Sequence, residues 1–121
     1  MPRRGSELAQ ERPKALSVGE ETFALHLKAH GLEYEREVCL IPGRKWRWDF
    51  VLKNIAIEIQ GQTWVKGAHS SGSGIVRDCQ KLNAATLAGY RNLVFTTEMV
   101  LSGEAIDTVL SALQPLSYLP L

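Results

Sequence analysis

The chain has 121 residues, with 14 Lys and Arg against 13 Asp and Glu for a net charge of +1. That length fits one domain with a single sizeable core, and 45% hydrophobic with 22% charged residues is ordinary globular composition. The near-neutral balance excludes a uniformly basic, nucleic-acid-coating surface, so any phosphate-binding face must come from local clusters.

Residues 1–16 mix Arg, Glu, Pro and Gly without apolar periodicity and are read as a flexible arm, with Arg3, Arg4, Arg12 and Lys14 as one basic cluster. Ser17, followed three residues later by Glu20, forms a capping box that opens a helix. Phe23, Ala24, Leu27 and the step from Ala29 to His30 give its apolar stripe, and Gly31 stops it. Glu21 is the alternative to Glu20 if the helix phase differs. His26 and His30 lack a third ligand nearby and read as surface or packing residues. Residues 34–41 form the first strand, with Tyr34, Arg36, Val38 and Leu40 on one face, and Pro42-Gly43 turns the chain. A second basic cluster follows, Arg44-Lys45-Trp46-Arg47-Trp48, where cations suited to phosphates interleave with aromatics able to stack on unpaired bases. Parity with Phe50 assigns Trp48 to the core; Trp46 fits either reading.

Residues 47–60 read as a hairpin whose loop is Lys53-Asn54. The register then places Leu52 opposite Ile55, Phe50 opposite Ile57 and Asp49 opposite Glu58. Trp48, Phe50, Leu52, Ile55, Ile57 and Ile59 share one wholly apolar face, and Arg47, Asp49, Val51, Ala56, Glu58 and Gln60 the other. Two carboxylates opposite each other, roughly 5 Å apart at Cβ, destabilise a sheet unless something offsets their repulsion. A hard divalent cation does so; a solvated polar face fits the pair alone equally well.

A long Gly- and Ser-rich loop, residues 61–74, follows. A helix over 75–87 is expected to turn Ile75, Cys79, Leu82, Ala85 and Thr86 to the core, with Gly89 beyond its end. Arg77, Asp78 and Lys81 lie near its start, where an i, i+3 surface charge pair is the plainer reading of the last two. Residues 92–96 form an apolar strand expected to be buried on both faces after a crossover. Ser102 caps a helix over 102–113 with Ala105, Ile106, Val109, Leu110 and Leu113 as its stripe. The tail, 114–121, is apolar with two prolines. Cys39 and Cys79 lie far apart and outside any Cys-X-X-Cys spacing, so reduced, partly buried thiols are expected. No stretch approaches the roughly 20 apolar residues of a membrane span, so no membrane partner and a cytoplasmic location are expected.

An acidic residue in the first helix, then Asp, then Glu-X-Lys on the next strand, is the pattern of the PD-(D/E)XK nuclease superfamily. This chain, with Glu20, Asp49 and Glu58-Ile59-Gln60, resembles its small phage-type members near the virus-type replication-repair and very-short-patch-repair-like endonucleases. Gln60 stands where those proteins usually carry lysine. The resemblance spans 17–113 and implies an α/β nuclease domain, a mixed sheet flanked by helices in the order α-β-β-β-α-β-α. It implies a metal-dependent DNA endonuclease, with Asp49, Glu58 and the Ile59 carbonyl holding Mg²⁺ or Mn²⁺ and Gln60 positioning water. Glu20 would join them directly or through water, His69 in the loop would orient water or carry a proton, and Lys81 would support the site. Lys66 would substitute for the missing lysine, and Arg44, Lys45 and Arg47 would contact DNA. A homodimer acting on branched DNA follows by the same analogy. The alternative is a catalytically inactive nucleic-acid-binding module on a nuclease fold.

Overall fold

A computed structural model of the chain describes residues 17–61 and 72–115. The N-terminal arm, the loop carrying Lys66 and His69, and the end of the tail therefore lie outside the described residues. Elements follow in the order α1 (Val18–Ala29), β1 (Glu35–Val38), β2 (Trp48–Leu52), β3 (Ile55–Gln60), α2 (Gly72–Leu87), β4 (Arg91–Thr96), α3 (Thr97–Leu101) and α4 (Glu104–Ala112). This is the expected α/β order, with the last helical segment divided in two. The sheet order is β1-β2-β3-β4, antiparallel except for the parallel β3–β4 pair that the α2 crossover allows.

Helix ends follow local chemistry. The Ser17 hydroxyl accepts the Glu20 N–H at 3.1 Å. At the other end of α1, Gly31 (φ 69) and Leu32 donate to Lys28 and Leu27, a Schellman closure. The end of α2 repeats it, with Gly89 donating to Thr86 and Tyr90 to Ala85. Thr96 and Met99 cap α3 reciprocally, a short helix the periodicity does not announce. Ser102 is not the first cap of a single helix: it ends α3, and its hydroxyl accepts the Glu104 N–H.

The principal core lies between the sheet and α1, α3 and α4. Phe23 meets the Phe50 ring edge-on at 5.0 Å, and Leu27, Ile55, Ile57, Val100 and Val109 are fully enclosed around them. Truncating Phe23 to Ala would cost about 3–5 kcal/mol. Ala29 and His30 are exposed, so the α1 stripe ends at Leu27. A smaller cluster of Trp48, Val51, Ala56 and Ala85 lies under α2.

The hairpin register is as expected: Phe50↔Ile57, Val51↔Ala56 and Leu52↔Ile55. Trp48 is a correction, because it packs in the α2 cluster and not with Phe50. Tyr34 packs with the principal core, whereas Val38 and Leu40 pack with Trp48. Both strands thus change faces around one cross-strand step, where Glu37 adopts φ 53 beside Asp49. Simple parity fails there, and β1 is shorter than residues 34–41.

The α2 expectation also needs correction. Ala85 is buried and Leu82 half-buried, but Ile75, Cys79 and Thr86 are exposed. Asn92 anchors the C-terminal half by donating to the Leu82 carbonyl and the Thr86 hydroxyl. The N-terminal half stands beside Gln60 and Val94 across an open groove lined by Ile75, Asp78, Cys79 and Leu82. For the same reason β4 is not buried on both faces: Phe95 is enclosed and Val94 is 40% exposed. Both cysteines are exposed, not partly buried. No helix among the described residues is long and apolar enough to cross a membrane.

Candidate active site

Around the ends of β2 and β3, an open cleft of about 300 Å³ is lined by Glu20, Asp49, Glu58, Gln60, Asp78 and Lys81, among others. A larger groove, about 620 Å³, lies at the hairpin end of the sheet between Gly31, Tyr34, Lys53 and Tyr90. Chemistry rather than volume selects the smaller cleft, where carboxylates from four elements converge with a lysine and an amide.

Asp49 anchors the arrangement. Its Oδ2 accepts the Ile59 N–H at 2.7 Å, so a β2 side chain takes a backbone donor of β3 beyond the Phe50↔Ile57 pair. That bond fixes the carboxylate at the open end of the β2–β3 hairpin. One oxygen each of Glu20, Glu37 and Asp49 lies within 4.8 Å of the others. Carboxylates at such separation repel one another, a repulsion that solvent around the exposed Glu37 partly screens. Arg36 offsets part of this: its Nη2 lies 3.6 Å from Glu20 and 3.0 Å from Glu21. Its guanidinium sits 4.9 Å from the Phe50 ring centroid.

Glu58 belongs to the other side of the cleft. It forms an ion pair with Lys81 from α2, whose ammonium also donates to the Arg47 carbonyl at 2.6 Å and lies 4.8 Å from the Trp48 ring centroid. Burial pushes the Glu58 carboxyl up to about 7; Lys81 pulls it down, and Asp49 and Asp78 add to the rise. The backbone of Ile59 is placed by its bond to Asp49.

The structure thus brings together Glu20, Asp49, Glu58, Gln60 and Lys81, all singled out by sequence. It places Asp49 with Glu20 and Glu37, and Glu58 with Lys81. Arg44, Lys45 and Arg47 are exposed on the loop joining β1 and β2. Arg77 is exposed on the first turns of α2, whereas His26 is half-buried and His30 exposed, outside the cleft. Sequence reasoning missed Glu37, whose approach depends on a left-handed backbone that glutamate does not signal. It also took Asp78 only as a partner for Lys81. Asp78, Lys81 and Leu82 share one helix face at i, i+3, i+4, and that spacing was available as a signal.

Comparison of the sequence finds no matching family model and no matching curated protein. Among solved structures, the catalytic domain of the homing endonuclease I-Bth0305I matches with a TM-score of 0.59 and 21% identity. The match covers 80% of this chain and 92% of that one. At that identity the likeness establishes a shared fold, that of an endonuclease catalytic domain.

Proposed function

We propose that the chain is a metal-dependent DNA endonuclease of the PD-(D/E)XK type. The observation that carries this reading is the convergence of the Glu20, Glu37 and Asp49 carboxylates within 4.8 Å, beside Glu58 and Lys81. Carboxylate oxygens in that number suit a hard divalent cation, Mg²⁺ or Mn²⁺. Glu20, Glu37 and Asp49 would hold it, with Glu58 and the Ile59 carbonyl completing the donor set. Bound there, the ion supplies polarisation of a phosphoryl oxygen and a lowered pKa for water.

The chain's own groups have distinct tasks. Asp49, pinned by the Ile59 amide, keeps its carboxylate oriented before substrate arrives. The Gln60 amide, in the lining of the cleft, orients the attacking water by hydrogen bonding. Lys81 supplies the positive charge that Gln60 lacks: it reaches Glu58 from α2 instead of from the strand. Its ammonium stabilises negative charge developing on the phosphate. His69 and Lys66, in the segment between β3 and α2, are assigned proton transfer and phosphate contact in the same reading. Action on branched DNA in replication, repair or recombination, as a homodimer, belongs to it too.

The test is cleavage of labelled duplex, single-stranded and four-way-junction DNA in Mg²⁺, Mn²⁺ or EDTA, run beside Asp49→Ala. Metal-dependent cutting by the wild type, abolished in the variant, is expected. DNA binding with no cutting of any substrate in either metal would replace this reading with a non-catalytic binding module.

A further inference from the structure

We propose that Arg44 is a preorganised contact for the sugar–phosphate backbone of duplex DNA, held in place by Trp46 on the loop between β1 and β2. The inference rests on reading the neighbouring cleft as a DNA-cleaving site and adds the surface that guides the duplex to it. β1 and β2 bring this loop to the end of the sheet where Glu37 and Asp49 lie. A near-neutral protein with converging carboxylates repels a polyanion there unless local cations oppose the repulsion. Arg44, Lys45 and Arg47, all exposed, supply three positive charges within four residues.

The loop is built rather than slack. Across Pro42-Gly43 the Arg44 N–H donates to the Ile41 carbonyl at 3.2 Å, and Gly43 has φ 86. Proline then glycine at the central positions is type II turn chemistry, and it fixes the direction in which Arg44 leaves the chain. Arg47 donates to the Glu37 carbonyl at 3.3 Å, and its own carbonyl accepts from Lys81. The loop is thereby tied to both walls of the cleft. Trp46 is half-buried against the Trp48 cluster, and the Arg44 guanidinium lies 3.9 Å from its ring centroid. A stacked guanidinium is already ordered and leaves its N–H edge free for a bidentate phosphate contact, so little side-chain entropy remains to be lost on binding. The same stack covers one face of the indole, which selects the DNA backbone over an unpaired base as the partner.

Binding is measured by fluorescence anisotropy in EDTA, across a series of KCl concentrations, with a labelled duplex and a single strand of equal length. Each lost phosphate contact lowers the slope of log K against log salt by about 0.9. Arg44→Ala is expected to lower the slope by about that much and to weaken duplex binding several-fold. Lys53→Gln, an equal charge loss at the far hairpin tip, leaves both unchanged. Trp46→Leu weakens binding and makes a further Arg44→Ala change nearly silent, the signature of coupling. Should Trp46→Leu fail to fold, Arg44→Lys decides the indole's role: it keeps the charge, loses the stacked plane and is expected to bind more weakly than wild type. A wild-type slope in Arg44→Ala, an equal loss in Lys53→Gln, an effect confined to single strands, or wild-type affinity in Arg44→Lys would each overturn the proposal. Arg44-independent binding with Asp49-dependent cleavage refutes this inference alone. Arg44-dependent binding by a protein that cleaves nothing refutes the nuclease reading alone.

Discussion

Glu58 makes the stability of the metal-free protein fall as pH rises, and Glu58→Gln and Lys81→Met expose how. Burial raises this carboxyl from 4.5 to about 7 against the pull of Lys81. Below the unfolded value both states hold the proton, and the stabilising contribution is fully present. Between 4.5 and about 7 the unfolded chain ionises while the folded one keeps its proton, so stability declines and continues to do so until the folded group has titrated. The difference between those two values amounts to roughly 3 kcal/mol, an upper figure for this one group. Urea unfolding followed by tryptophan fluorescence in EDTA, from about pH 4.5 to pH 8.5, measures it. Glu58→Gln is expected to remove most of the decline relative to wild type. Lys81→Met leaves the buried carboxylate without its cation; the decline deepens and extends to higher pH, costing a further ~1–3 kcal/mol at the alkaline end. A Glu58→Gln profile superimposable on wild type would refute the reasoning.

Gly19 sits where α1 crosses α3 and β3: a Cβ there would lie 2.7 Å from Thr97 Oγ1 and 3.1 Å from Ile59 Cγ2. Gly19→Ala sets a gain of about 1 kcal/mol in helix propensity against about 1–3 kcal/mol of overpacking. Denaturant unfolding is expected to show a net loss, with cleavage falling further than stability because the neighbouring Glu20 moves with α1. Lys53 holds φ 53 at the hairpin tip, a conformation glycine adopts without strain. Lys53→Gly relieves about 1–2 kcal/mol of left-handed strain against about 0.5–1 kcal/mol of added unfolded-chain entropy, so a small net gain in the same assay is expected, with cleavage unchanged.

Much of this was legible because regular strands have a strict period. Strict alternation from Phe50 to Ile59 and a two-residue loop fixed the hairpin register, and Asp49 and Glu58 followed at its open end. Glycines 31 and 89 marked two helix ends because a Schellman closure needs a left-handed residue. Trp48 and Glu37 were not legible for one shared reason. The alternation breaks at the Glu37–Asp49 step, where a left-handed glutamate, its carbonyl accepting from Arg47, has no local sequence signal. The exposure of Ile75 and Cys79 was hidden because helical periodicity reports a common face, not whether the sheet beneath it is apolar or carries Glu58 and Gln60. Lys81 was legible as a helix-borne cation. That it meets Glu58 depends on how α2 crosses the sheet.

The most direct measurement is a calorimetric titration of Mn²⁺ into the wild-type protein and Asp49→Ala, near pH 8, where Glu58 is ionised. A cation site built on Asp49 predicts saturable binding to the wild type and its loss, by at least an order of magnitude in affinity, in a variant that still folds. Equal Mn²⁺ affinity in the two proteins would contradict it.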